Sequence, residues 1–178
     1  MATDGGQPGV DAAHLATLGR LTGGALHELA NPLLALLGDA ELGSAEAERG
    51  TKLHERLELI QQTGLEIADI VRALQGFIRE QDAPSGPISL VDSANAALAL
   101  IRRVSSVRDV ELTVRAEAEP TVREQPGAIL GSLVELVLDR LKSADRGDVI
   151  ELVVSEEEGS AIASLEGGGE VRLDAVQR

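Results

Sequence analysis

The stretch that decides the fold runs from Thr51 to Gln81 and reads TKLHERLELIQQTGLEIADIVRALQGFIREQ. Apolar or small residues recur in it at alternating steps of four and three, which is the spacing of a heptad repeat. The repeat comprises Leu53, Leu57, Ile60, Gly64, Ile67, Val71, Leu74 and Ile78. A seam of this length predicts one long helix that packs against at least one other helix.

The preceding segment, 12–42, carries a second helical pattern with three- and four-residue steps. Its apolar stripe comprises Leu15, Leu18, Leu21, Ala25, Leu29, Leu33 and Leu36. We expect Pro32 to kink this helix without ending it, because the apolar period continues beyond the proline. The segment 43–50 is a turn between glycines, so the two helices should form an antiparallel hairpin. Because one hairpin leaves apolar surface uncovered, we expect a homodimer that closes a four-helix bundle.

The composition changes after residue 82, where two prolines and a glycine mark a linker. Beyond it we predict helices at 89–105, capped by Ser89 or Asp92, and at 126–142, and strands at 110–116, 120–124, 149–155, 160–165 and around 170–176. The expected fold class is α+β, with a dimeric helical hairpin followed by a small C-terminal α/β layer. The predicted divisions are a flexible leader at 1–11, a hairpin domain at 12–82, a linker at 83–88 and an α/β domain at 89–178.

Composition excludes several classes of function. The 178 residues include no cysteine, which excludes disulfides, thiol chemistry and cysteine-ligated zinc. Sixteen basic residues face 30 acidic ones, a net charge of −14, which argues against nucleic acid and anionic membranes as partners. No apolar run approaches the roughly 20 residues that span a bilayer. Because residues 1–10 also lack the features of a signal peptide, we expect a cytoplasmic protein.

His27 lies on the side of the first helix opposite the apolar stripe when residues are placed about 100° apart. Two neighbouring glycines, Gly23 and Gly24, each cost about 1 kcal/mol relative to alanine inside a helix. Such a cost indicates clearance for another protein that approaches the histidine. The predicted docking residues are Arg20, Gly23, Gly24, Ala30 and Leu34.

An exposed imidazole is a competent nucleophile at neutral pH, because much of it is uncharged. The carboxylate of Glu28 can accept the Nδ1 proton of His27, and Asn31, one turn further on, can orient a water or a phosphoryl oxygen. The alternative is a surface histidine with no role. His14 and His54 are interpreted as solvated side chains, since they lack the partner ligands of a metal site.

The segment 15–33, LATLGRLTGGALHELANPL, resembles the phosphoacceptor motif of sensor histidine kinases. In that family, His-Glu-x-x-Asn-Pro-Leu lies on the first helix of a dimeric helical hairpin, and the histidine is phosphorylated. Residues 27–33 match every fixed position of this motif. The resemblance implies that His27 is the phosphoacceptor and Glu28 the general base. It also implies that Asn31 helps water to attack a phosphorylated partner.

The second half resembles the family less closely. The helix at 126–142 is similar to the one that carries the nucleotide- and magnesium-binding asparagines, but Glu135 and Asp139 stand in their places. The adenine-binding Asp-x-Gly-x-Gly box is replaced by Glu166 followed by the glycines 167–169. Asp139 can still bind Mg²⁺, but added carboxylates repel a triphosphate. These degenerate positions predict a chain that binds no cofactor or metal of its own.

The preferred hypothesis is therefore a histidine phosphotransferase, resembling a sensor kinase that kept the phosphoacceptor bundle and lost ATP-dependent kinase activity. His27 would relay a phosphoryl group between aspartates of response regulator receiver domains, and the receiver would supply the Mg²⁺. Two alternatives remain open. One is a minimal histidine kinase that uses ATP, and the other is a pseudokinase-like docking or regulatory protein that does not need His27.

Overall fold

The computed structural model describes residues 8–105, 109–166 and 168–176. In chain order the elements are α1 Pro8–Glu46, α2 Lys52–Gln81, β1 Gly86–Ser89, α3 Leu90–Val104, β2 Glu111–Ala116, β3 Thr121–Glu124, α4 Pro126–Leu141, β4 Val149–Glu157, β5 Ser160–Leu165 and β6 Glu170–Asp174. The chain divides into two compact units, Met1–Ile78 and Arg79–Arg178. A helical hairpin is thus followed by an α/β layer, which confirms the predicted α+β class.

The first helix is longer than its apolar pattern predicted. It begins at Pro8, within the predicted leader, and ends at Glu46 rather than at residue 42. Residues 1–7 of the predicted leader lie outside the described residues. The helix continues through Pro32, as the apolar period predicted. Within the described ranges, no helix is both long and apolar enough to cross a membrane.

The two helices of the hairpin pack through small and branched residues. Leu26 of α1 is buried, as are Gly64 and Val71 of α2. A β-carbon on Gly64 would lie 2.6 Å from Cδ2 of Leu37 and 3.9 Å from Cδ1 of Leu33. Glycine at this position therefore lets the leucines of α1 approach the backbone of α2.

Each helix carries a second set of apolar side chains that stays exposed. Their exposed fractions are 66% for Leu21, 57% for Leu29 and 50% for Leu36 on α1, and 60% for Leu53, 44% for Ile60 and 46% for Ile67 on α2. The helix periods place these six residues on one side of the antiparallel hairpin, and we call them the apolar face. The α2 seam therefore serves two surfaces, because Gly64 and Val71 pack inside the hairpin while Ile60 and Ile67 do not.

The α/β unit has its own core, in which α3 and α4 pack against a sheet. The sheet has the order β2-β4-β5-β6, with β2 parallel to β4 and the other pairs antiparallel. Its largest fully buried side chains are Leu90, Leu98, Ile101, Val122, Ile129, Leu133, Val137, Leu152 and Val154. These residues come from both helices, from the four-stranded sheet and, for Val122, from β3, which agrees with helices that cover one face of a short sheet.

A short strand lies inside the predicted linker. Strand β1 pairs antiparallel with β3, and Ile88 lies opposite Val122. Its four residues are too few to show an alternating pattern, so pairing with a distant strand decides their conformation. Ser89 follows as the N-cap of α3, and its side chain accepts a hydrogen bond from the backbone N–H of Asp92 at 3.2 Å. This contact confirms Ser89, and not Asp92, as the cap.

The last turn of α2 belongs to the second unit and packs on the first turn of α4. A β-carbon on Gly127 would lie 2.5 Å from Cα of Gln81, so only glycine permits this backbone approach. Gln81 Nε2 donates to the carbonyl oxygen of Gly127 at 3.0 Å, and Gln125 Nε2 donates to the carbonyl oxygen of Gln81. We call Gln81, Gln125 and Gly127 the amide joint.

Candidate functional site

His27 lies within α1, and its side chain is exposed. It follows the buried Leu26, so it projects about 100° from the direction of α2. It also projects about 160° from Leu29, which belongs to the apolar face. The imidazole therefore leaves the hairpin on the side away from the apolar face, where another protein can reach it.

Glu28 and Asn31 are exposed beside His27 on the same helix. Asn31 lies four residues further on, which is about 6 Å along the helix axis. Among the described residues, these three side chains form no hydrogen bond or ion pair with any other residue. The helix therefore presents an imidazole, a carboxylate and an amide whose polar atoms are available to a partner.

Two of the predicted docking residues border this site in the open. Gly24 is exposed, and among the described residues a β-carbon placed there would meet nothing within 4 Å beyond the backbone of its own helix turn. Leu34 lies two turns from His27 and is 63% exposed. The clearance predicted around the histidine is thus present at Gly24, Leu34 is an exposed apolar side chain, and the docking role of both stays a prediction.

The other predicted docking residues are placed differently. Gly23 is partly buried, because a β-carbon there would lie 3.4 Å from Cγ2 of Ile78 on α2. Ala30 is also partly buried. The small size of Gly23 therefore serves the packing of the two helices. The side chain of Arg20 lies outside the part of the chain that the structure describes. A docking role for these residues stays a prediction.

Leu65 was missed by reasoning from the sequence. It follows Gly64 on α2, just as Leu34 follows Leu33 on α1, and Leu33 lies beside Gly64. Leu33 and Gly64 face each other across the antiparallel helices. The next residue on each helix projects to the same side of the hairpin, so Leu65 lies on the side of Leu34. It is 55% exposed. Leu65 could have been recognised in the sequence as a leucine that interrupts the polar surface of the heptad helix.

The interpretation of His54 as a solvated side chain is wrong. Only 16% of its side chain is exposed, and its Nε2 lies 3.4 Å from Oε1 of Glu58. Its Nδ1 lies 3.0 Å from the carbonyl oxygen of Ser44 and 3.2 Å from the Ser44 hydroxyl oxygen. His54 projects about 100° from the seam of α2. At this end of the hairpin the last turn of α1 lies beside that position, so the imidazole contacts α1. His54 therefore has a structural role in the hairpin, because its side chain joins α2 to the last turn of α1.

The second candidate site is a cavity of about 830 Å³ within the α/β unit. It lies between α4 and the turn that precedes β6, and its lining includes Glu135, Asp139 and residues 168–170. The fold thus brings together two segments whose degenerate motifs lie far apart in the sequence. Glu166 lines a separate cavity of about 200 Å³ with Arg140. The structure therefore divides the three degenerate acidic positions between two cavities.

Carboxylates outnumber cations around the larger cavity. Its charged lining residues are Glu135, Asp139, Arg140, Lys142 and Glu170. Lys142 Nζ lies 3.1 Å from Oδ1 of Asp139, and Arg140 donates to the hydroxyl oxygen of Ser143 at 3.3 Å. Both cations thus already have partners on their own helix or in the turn that follows it. Of the three carboxylates, Glu135 has no charged partner among the residues that the structure describes.

The sequence of the chain, which folds into a helical hairpin followed by an α/β layer, is similar to that of sensor histidine kinases. No known protein-family profile matches the sequence. The chain is a distant homologue of sensor histidine kinases over most of its length. It is 22% identical over 165 residues to the sensor histidine kinase ZraS of Escherichia coli O157:H7 and 23% identical over 167 residues to that of strain K12. These matches cover 92% and 91% of this chain but 36% of each relative, so the chain spans about a third of their length.

A comparison with solved structures matches the chain to full-length ShkA in complex with AMPPNP, at 16% identity and a TM-score of 0.48. That match covers 82% of this chain and 32% of ShkA. Another is the histidine kinase ThkA in complex with the response regulator TrrA, at 16% identity and a TM-score of 0.41. It covers 86% of this chain and 46% of that one.

Proposed function

We propose that this chain is a histidine phosphotransferase that relays a phosphoryl group between receiver domains of response regulators through His27. The observation that carries the proposal is the exposed His27, which stands within a complete phosphoacceptor motif on the side of the hairpin away from the apolar face. The distant homology to sensor histidine kinases supports the same chemistry. The chain spans only about a third of those relatives, so their whole activity is not carried over.

The transfer needs one nucleophile and one base from this chain. The Nε2 lone pair of His27 attacks the phosphorus of an aspartyl phosphate on a receiver. The bond between phosphorus and the aspartyl oxygen breaks, and the carboxylate leaves with the electron pair as the N–P bond forms. Glu28 accepts the Nδ1 proton that the ring loses, and returns it when an aspartate of a second receiver takes the phosphoryl group.

We assign the third side chain, Asn31, to the orientation of a phosphoryl oxygen or of a water that attacks the partner's aspartyl phosphate. The receiver supplies the aspartate and the Mg²⁺ that neutralises the transferring group. This division of roles agrees with a site in which His27, Glu28 and Asn31 form no hydrogen bond or ion pair within the described chain.

The receiver docks, in this proposal, on the side of the hairpin that carries His27. Leu34 and Leu65 flank the groove between the helices there, with 63% and 55% of their surfaces exposed. Exposed leucines on both walls of a groove suit an amphipathic helix of a partner. Gly24 leaves room beside the imidazole for the aspartyl phosphate of the receiver.

The apolar face completes the proposal with a homodimer. Six leucines and isoleucines on one side of a hairpin form a surface that monomeric proteins rarely leave open. A second copy with the same face would bury it and close a four-helix bundle. Because the apolar face lies away from His27, dimerisation leaves both histidines accessible to receivers.

The proposal is tested with purified chain and a panel of receiver domains that carry a labelled aspartyl phosphate, after removal of free ATP. Label should pass to the wild-type chain and not to the His27→Ala variant. A parallel sample with labelled ATP alone should leave the chain unlabelled.

Two results would contradict the proposal. Label from ATP alone would identify a histidine kinase. Absence of label from every receiver, together with receiver binding that survives His27→Ala, would identify a docking or regulatory protein.

A further inference from the structure

We infer that the cavity beside α4 does not bind a nucleoside triphosphate, although the cavity itself is present in the fold. In the family that the sequence resembles, the corresponding helix and glycine-rich turn bind ATP and Mg²⁺. The residues that line the cavity in this chain do not fit the MgATP that this resemblance implies. The inference deepens the proposed function. In the proposed function, a chain that does not bind ATP receives its phosphoryl group from the aspartyl phosphate of a receiver.

The charge of the lining does not fit a triphosphate. Glu135 and Asp139 lie one turn apart on α4, at the places where the family has amides, and Glu170 lines the same cavity. Amides contact phosphate and metal without adding charge, whereas these carboxylates add negative charge beside a group that is already strongly anionic. The repulsion is partly shielded because Asp139 and Glu135 face an open cavity, so charge alone weakens binding and does not abolish it.

The two cations at the cavity offset this repulsion only in part, because three carboxylates line the cavity beside them. Lys142 Nζ lies 3.1 Å from Asp139, and contact with a phosphate would take it away from that carboxylate. Arg140 Nη1 donates to Ser143, and the Arg140 side chain also borders the smaller cavity. A phosphate that binds either cation would therefore replace a contact that the cation already makes.

The place for an adenine base is also altered. Glu166 stands where the family's box begins with aspartate, but it lines the smaller cavity and not the larger one. The turn also lies close to α4, because a β-carbon on Gly169 would be 3.1 Å from Cδ1 of Leu136. Gly169 and Leu136 therefore lie too close together for a planar base to fit between them. Glu166, which stands in the place of the box aspartate, is not among the residues that line the larger cavity.

The test measures binding in a background that cannot transfer phosphate. The His27→Ala chain is titrated with a fluorescent ATP analogue and Mg²⁺, and separately with MgATP by calorimetry, up to millimolar concentrations. A second protein adds Glu135→Asn and Asp139→Asn, which restore the amides. A third adds Glu156→Gln and Glu157→Gln, which remove the same number of charges from the end of β4, away from the residues that line the cavity.

We expect no saturable binding to the first and third proteins up to millimolar concentrations, and saturable binding to the second with a dissociation constant at least tenfold below the highest concentration tested. Saturable binding to the first protein would overturn the inference. A second protein that binds no better than the third would overturn the role of the two carboxylates. Circular dichroism of each protein confirms that it is folded. The outcome is independent of the receiver assay, because a chain that binds ATP can still accept label from a receiver, and a chain that does not bind ATP can fail to do so.

Discussion

The imidazole of His54 lies against the last turn of α1, with Nδ1 3.0 Å from the carbonyl oxygen of Ser44. That carbonyl belongs to the last four residues of α1, whose carbonyls have no partner within the helix. Because a carbonyl oxygen only accepts, Nδ1 carries the hydrogen in this contact. One side chain of α2 therefore caps the end of the neighbouring helix and fixes the closed end of the hairpin.

Replacement of His54 by alanine should destabilise the hairpin. The variant loses a partly buried hydrogen bond and leaves the Ser44 carbonyl without its donor, so we expect the free energy of unfolding to fall by about 1–2 kcal/mol. Urea denaturation followed by circular dichroism measures the change. Lys52→Ala, an exposed change on the same turn of α2, should stay within about 0.5 kcal/mol of wild type. Equal stability of the two variants would show that the His54 contact contributes nothing.

The apolar face predicts that one charge on it will separate the protomers. Ile67 is 46% exposed in the single chain and lies at the middle of α2. In the dimer proposed above, Ile67→Glu would bury an unpaired carboxylate, so the variant should run as a monomer. Sedimentation velocity at several concentrations reports the state.

Leu65 provides the matched control for this experiment. It is also an exposed apolar residue of α2, but it projects to the side of His27. Leu65→Glu should therefore remain dimeric while it slows phosphotransfer from receivers. Loss of the dimer in both variants, or in neither, would contradict the assignment of the two faces.

Gly127→Ala should damage the amide joint. The new β-carbon would lie 2.5 Å from Cα of Gln81, and neither backbone can move away without breaking the glutamine hydrogen bonds. We expect a loss of about 3 kcal/mol, the upper end of the range for overpacking. Gly131→Ala in the same helix meets only Gln81 Nε2, at 4.0 Å, and should instead gain up to about 1 kcal/mol from helix propensity. Thermal unfolding compares the two; a similar shift for both would exclude a tight joint.

The proposed roles of Glu28 and Asn31 predict different kinetic defects. Glu28→Gln keeps the shape of the side chain but removes the base, so formation of phosphohistidine should slow by about 100-fold. Asn31→Ala should form phosphohistidine at a near-normal rate but prolong the lifetime of the aspartyl phosphate on the partner. Rapid-quench assays with a labelled receiver measure both steps. Identical effects of the two changes on both steps would contradict separate roles.

The sequence predicted the order of elements well because most of them carry a strong local pattern. The strand at 160–165 and the helix that begins at Pro126 have the predicted positions, since alternation and an N-terminal proline are local signals. Strand β1 was not predicted because four residues have no period, and its pairing with β3 depends on the folded α/β unit.

The faces of α1 were harder to predict than the helix itself. Leucines occupy more than one side of it, so a helical wheel identifies an apolar stripe without showing which surface the stripe covers. Leu21, Leu29 and Leu36 of the stripe are exposed in the chain, whereas Leu33 of the same stripe packs beside Gly64. Leu26 and Ala40, which the stripe leaves out, are buried in the hairpin. The exposed position of His27 was predictable because it depends on the helix period alone. The contact of His54 was not, because its partner is set by the position of the turn between the helices.

The amide joint bears on how this chain can be divided for separate study. A cut in the proline-containing stretch 83–88 would leave Gln81 on one fragment and Gly127 on the other, and a cut after residue 86 or 87 would also pass through β1. The α/β fragment would then lack the backbone that its fourth helix is shaped to receive, and would expose Gly127. A fragment that starts at Arg79 retains both glutamines, the glycine and the whole strand, so it is the piece whose isolated solubility and exchange-protected core should resemble those of the parent.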